Sequence, residues 1–143
     1  MISIQYPPFD FRIKKEDDKE WIFDEFRKQW VRLTPEEWVR QNMLQYLVQV
    51  KKYPASLIAV EKEISVGEMK KRFDILVYKD SVPWMIIECK EMNVFIDESV
   101  LKQVLNYNTR LQTPYVVITN GTSVYGFVLQ NGTMQQIWEL PDF

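Results

Sequence analysis

Asp74 and the tripeptide Glu88-Cys89-Lys90 carry the residue types and the spacing best suited to chemistry in this chain. Both interrupt apolar runs, Phe73-Asp74-Ile75-Leu76-Val77 and Met85-Ile86-Ile87-Glu88. Each run reads as a β-strand, and residues two apart on a strand share a face, so Glu88 and Lys90 point the same way. Asp80-Ser81-Val82-Pro83 reads as the turn between them. A hairpin centred on Ser81 sets Asp74 directly opposite Glu88, with Cβ atoms roughly 4.5–5.5 Å apart. Like charges so placed repel and call for a cation. Lys90 supplies one charge, but a divalent ion held by both carboxylates does so better. Mg²⁺ suits the pair, since it typically takes one or two carboxylates and keeps its waters. Such an ion polarises a phosphoryl oxygen and acidifies a bound water, while lysine orients that water or stabilises developing charge. The chemistry expected is metal-assisted phosphodiester hydrolysis. The competing reading is an ordinary cross-strand ion pair, because the spacing is short and degenerate. The apolar surroundings weigh for a site.

Composition narrows the mechanism. The chain has 143 residues, no histidine, one cysteine and four glycines. No histidine means no Ser-His-Asp triad and no Cys-His dyad. Zinc sites built on Cys and His lack their ligands. No glycine precedes a lysine, so there is no phosphate-cradling Walker loop and no ATP site. Hydrophobic residues at 46% and charged residues at 27% fit a folded globular chain rather than disorder. No apolar run nears the ~20 residues of a membrane span. The N-terminus lacks a signal-peptide layout, so the expected location is cytoplasmic. A net charge of −2 argues against coating nucleic acid by charge alone. It leaves room for a local basic groove, or for an acidic cluster neutralised by metal.

The positioning elements follow from periodicity. Residues 1–33 read as a β-meander: strands at Phe9–Lys14, Glu20–Phe23 and Trp30–Leu33. Residues 34–143 read as the core of the same single domain. Thr34-Pro35-Glu36-Glu37 is a helix start, with Thr as N-cap, Pro first and Glu37 placed to close a capping box. The helix is expected to run to about Lys52, before Pro54. Glu36 and Arg40 fall inside its apolar arc and one turn apart, so they can pair; Glu37 lies near the edge. Strands follow at Ser56–Ile64, Lys71–Tyr78 and Trp84–Cys89, then a helix capped by Asp97. Tyr115–Thr119 reads as a strand buried on both faces. A closing hairpin, Val124–Leu129 and Met134–Leu140, turns at Asn131-Gly132. This order predicts an α/β fold, a mixed sheet with helices packed on it. Cys89 reads as a small buried residue, and the aromatics as core, with Trp21 and Trp30 the least settled among them.

That order, helix, strand, Asp-bearing strand, ExK-bearing strand, helix, strand, is similar to the core of the PD-(D/E)XK nuclease superfamily. Leu33-Thr34-Pro35-Glu36-Glu37-Trp38-Val39-Arg40-Gln41, Lys71-Arg72-Phe73-Asp74-Ile75, Ile87-Glu88-Cys89-Lys90 and Thr119-Asn120-Gly121 together resemble the N-terminal nuclease domain of type I restriction enzyme R subunits. The likeness extends over nearly all of the chain, in a stand-alone form. It implies a restriction-endonuclease-like mixed sheet and a Mg²⁺- or Mn²⁺-dependent DNA endonuclease. Asp74 and Glu88 would be metal ligands and Lys90 the catalytic lysine, joined by a first-helix carboxylate, Glu36 or Glu37. Gln103 and Tyr107 match a Gln-x-x-x-Tyr signature beside the active site in some of these families; a polar pair on a helix flank is the plain alternative. Lys70, Lys71 and Arg72, with Lys102 and Arg110, would lie near a phosphate backbone. Implied partners are DNA and other restriction-system subunits or a second copy. The chain has no helicase motor, so ATP-driven translocation does not carry over. The rival function is a non-catalytic interaction module on the same fold.

Overall fold

Alternating side chains build the N-terminal sheet. The computed structural model describes residues 1–143, and in it β1 (Ile13–Glu16), β2 (Lys19–Asp24) and β3 (Gln29–Arg32) pair antiparallel. Ile13, Ile22 and Val31 are aligned across it, with Ile22 fully buried. The first strand starts later than its alternation suggested. Phe9 and Phe11 lie outside it, edge-on to each other, and Phe11 packs edge-on against Trp38 of the following helix. Those ring contacts take the place of a ladder.

Helix α1 (Pro35–Gln45) begins as expected: the Thr34 hydroxyl accepts the Glu37 N–H at 3.1 Å. The capping box, however, is only half made. The Glu37 carboxylate turns away from the cap toward three other donors, described below. Regular α winding also stops short of Lys52. Tyr46–Val50 forms a π-turn closed by Lys51 N–H donating to the Tyr46 carbonyl, and Leu47 enters the core from it.

A six-stranded mixed sheet carries the rest, in the order β4 (Ile58–Val66), β5 (Met69–Lys79), β6 (Val82–Cys89), β7 (Tyr115–Thr119), β8 (Val124–Gln130), β9 (Thr133–Ile137). Neighbours are antiparallel except β6 and β7, which are parallel and joined across α2 (Glu98–Leu111). Asp97 caps α2 by accepting the Val100 N–H at 3.0 Å. Asn131 and Gly132 both take positive φ, as a tight hairpin requires. β9 ends at Ile137 rather than Leu140, and Trp138 stands exposed.

The sheet is a partition between two cores. On one side Val39, Met43, Leu44 and Leu47 cover Ile75, Val77, Met85 and Ile87. On the other Val104 and its neighbours on α2 cover Phe73, Leu76, Ile86, Val116 and Ile118. Phe73 and Ile75 therefore belong to opposite sides, although strict alternation would put them on one. The strand loses its parity at Asp74. Opposite it on β4, Glu61 has φ 56°, and the two residues drop out of the ladder together between the pairs Val60–Ile75 and Lys62–Phe73. A non-glycine residue held there costs about 1–3 kcal/mol and persists only when its surroundings enforce it.

The β5–β6 turn is shorter than expected. Asp80 and Ser81 alone make it, both at positive φ, and Lys79 pairs with Val82. A bulge between Val77 and Tyr78 then shifts the pairing by one residue, so that Ile75 faces Ile87. The register at the Asp74 end is thus the one a Ser81-centred hairpin predicts, reached by a different route.

Candidate active site

Asp74 is the first residue beyond the last β5–β6 pair, and both of its oxygens are held. Oδ2 accepts the Cys89 backbone N–H at 2.8 Å, and Oδ1 accepts Arg40 Nη2 at 2.6 Å. Arg40 is itself buried and gathers three carboxylates: Nη2 also meets Glu61 Oε1 at 2.6 Å, and Nη1 meets Glu37 Oε1 at 2.5 Å. Burial alone would lower the Arg40 pKa, but Glu37, Asp74 and Glu61 outweigh it and raise it. The strained Glu61 backbone is what presents that carboxylate to the guanidinium.

The N-terminal sheet reaches into this network. Arg27, after β2, donates Nη2 to Glu37 Oε2 at 2.9 Å and Nε to Asp24 Oδ2 at 2.6 Å. Gln41 bridges the same two acids at 3.0 Å each. Glu37 thus spends both oxygens on structure. Glu36 is the opposite case: its side chain is 51% exposed against 7% for Glu37. The expected Glu36–Arg40 pair is long, at 3.9 Å, and the buried partner is Glu37 instead. A helical wheel put Glu36 nearer the buried arc; docking of the N-terminal sheet on α1 draws in Glu37. Glu36 nonetheless faces the site. Partial burial and the Asp74 charge raise its pKa, while Arg40 and Lys90 lower it.

Glu88 is buried, and its Oε1 has no hydrogen-bond donor. Its nearest cation is Lys71, 3.7 Å from Oε2. Burial first, then the Asp74 charge, pushes its pKa up to about 8, with a hydrogen bond between the two carboxyl groups adding to the rise and Lys71 and Lys90 opposing it. Two acids here share more negative charge than the surroundings neutralise. Lys90 follows β6, its N–H donating to the Thr119 carbonyl at 2.8 Å, and its charge is felt at both Glu36 and Glu88. The loop after it is tied down by Asn120, whose side chain donates to the Val94 carbonyl at 2.8 Å. Gly121 permits that corner: its φ is 90°, and an added Cβ would come within 3.2 Å of Val39.

The other expected residues separate. Tyr107 stands edge-on to Phe73, and the Lys71 ammonium lies 5.2 Å from its ring centre, which links it to Glu88 through Lys71. Gln103 is exposed and lines a cleft with Ser99, Lys102 and Met134. Lys71 turns in, whereas Lys70, Arg72, Lys102 and Arg110 are exposed. Cys89 is buried as expected, and burial, then the Asp74 charge, raises its thiol pKa. The clefts of 430–720 Å³ lie away from Asp74, Glu88 and Lys90. One of about 480 Å³ runs between Pro35, Trp38 and Met92-Asn93, beside the loop that follows Lys90.

The raised Glu88 pKa has a stability consequence. The folded chain holds a proton that the unfolded chain releases near the ordinary carboxylate value of about 4.3. The stability that Glu88 contributes is therefore fullest below that value, falls as pH climbs to about 8, and is level above it. Glu88→Gln is expected to flatten this fall, and urea midpoints at about pH 5 and about pH 9 check it.

One comparison decides the lineage. The family model of the type I restriction enzyme R protein N terminus matches residues 35–142. The chain belongs to that family. As a type I R-protein N-terminal domain it carries α1, all six strands of the main sheet and α2 within the match, while the three-stranded sheet precedes it. No curated protein is matched by the chain. No helix of this R-protein domain is long and apolar enough to cross a membrane.

Proposed function

We propose that this R-protein N-terminal domain is a Mg²⁺-dependent DNA endonuclease of the PD-(D/E)XK kind, with Asp74, Glu88 and Lys90 as its reacting set. The observation that carries this is the donorless buried oxygen of Glu88, beside Asp74 and under the charge of Lys90. A buried polar atom without a partner costs free energy, and an oxygen-only pair of acids is the donor set a hard cation prefers. The pair therefore fits Mg²⁺ or Mn²⁺, which Asp74 and Glu88 would hold with waters completing the shell; no third acid joins them in a cluster, and Glu36 stands half exposed nearby. When bound, the ion acidifies a water and polarises the scissile phosphate.

The remaining work belongs to the chain itself. Arg40 and the Cys89 N–H hold Asp74 in one orientation, so its ligating geometry is prepaid rather than gained on binding. Glu88 would give up its proton to solvent on holding the cation. Lys90 meets the charge that develops on the phosphate oxygens. DNA approaches on the Glu36 and Lys90 side, the exposed flank of the set. Supercoiled plasmid incubated with the purified domain and Mg²⁺ or Mn²⁺ is expected to be nicked and linearised, and EDTA to stop it. Intact plasmid under every metal condition would sink the reading and leave the interaction module.

A further inference from the structure

Alternation along β2 sends Ile22 inward and sets Trp21 and Phe23 on the opposite face, where both are half-buried. The register lines up Lys14, Trp21 and Arg32 in one row across the sheet. In the next row Trp30 faces Phe23, and the Phe23 N–H donates to the Arg12 carbonyl at 2.9 Å. Three aromatics and three cations thus interleave on one surface. The Arg12 guanidinium lies 4.5 Å from the Phe23 ring centre, Lys14 Nζ 4.5 Å from Trp30, and Arg32 5.7 Å from Trp21. No ion pair of the molecule takes in Arg12 or Arg32; Lys14 has Glu16 at 3.0 Å. With Lys19, which faces Glu16, the rows of this surface bear four basic groups and one acid, with Asp17 and Asp18 in the turn at its edge.

We propose that this outer face of the N-terminal sheet binds single-stranded nucleic acid. Bases stack on Trp21, Phe23 and Trp30, and phosphates meet Arg12, Lys14 and Arg32. The aromatics select the strand form: a base offers its ring face to a protein side chain only when it is unstacked, which a duplex prevents. An acidic protein segment would use the cations and leave the rings idle. The face belongs to residues before the family match, so the inference goes beyond the cutting reaction and does not depend on it.

The test is fluorescence anisotropy of a labelled oligothymidylate of about 15 nucleotides, with the full chain in EDTA. Trp30→Ala and Trp21→Ala are each expected to weaken binding by about fivefold to a hundredfold. Arg32→Gln, an exposed change that leaves the thermal melt in place, should weaken it and lower the salt slope by about one. Binding unaffected by Trp30→Ala and Arg32→Gln overturns the proposal. So does no binding, or duplex or polyglutamate binding as tightly as the strand. A chain that binds the strand yet cuts nothing keeps this inference and loses the nuclease. Cutting with strand binding indifferent to both variants does the reverse.

Discussion

Lys90→Ala is expected to leave a folded protein whose metal-dependent DNA cleavage falls by about a hundredfold to a thousandfold or more. Lys90 is only partly buried and its backbone, not its side chain, closes the hydrogen bond to Thr119, so the truncation spares the sheet. Its charge acts at Glu36 and Glu88, the two acids that flank Asp74. With no histidine in the chain, no imidazole can take over proton transfer or charge stabilisation. Single-turnover plasmid cleavage, with far-UV circular dichroism on the same sample, separates lost chemistry from lost fold. Undiminished cutting by Lys90→Ala would remove lysine from the mechanism.

The second large effect concerns stability. Arg40→Met should destabilise the metal-free protein by about 3–5 kcal/mol, lowering Tm by roughly 10 °C. The guanidinium joins Glu37, Glu61 and Asp74, and removing it leaves the buried Asp74 carboxylate without its ion-pair partner, while Glu37 keeps Arg27. Urea unfolding reads the loss. Mg²⁺ should restore part of it, because an ion that binds only the folded state stabilises by mass action. A change below about 1 kcal/mol would show that Arg40 is a spectator.

Much of this was legible from residues alone. Thr34-Pro35 and Asp97 marked both helix starts because a cap depends on neighbours in sequence. The register of Ile75 against Ile87, one residue short of Asp74 and Glu88, was legible too, through the apolar runs that frame them. Arg40 was visible as a charge on an apolar arc that needed a partner, yet its partners were not. Glu61 reaches it only through a left-handed backbone that no residue type announces. Which of Glu36 and Glu37 is buried turned on Arg27, which arrives from a separate sheet. Local patterns specify elements; which flank of a helix is covered depends on what docks there.

The two halves of the acidic site also close at different chain distances. Asp74 meets Cys89 across 15 residues of a hairpin, whereas Arg40 must come from 34 residues away. Loop entropy favours the shorter closure by about 0.7 kcal/mol. The hairpin is therefore expected to close, with Lys71 already beside Glu88, before Arg40 reaches Asp74. Losing that late contact speeds unfolding more than it slows folding. Arg40→Met is thus expected to shorten the life of the native state more than it slows refolding, which the two arms of a chevron would read.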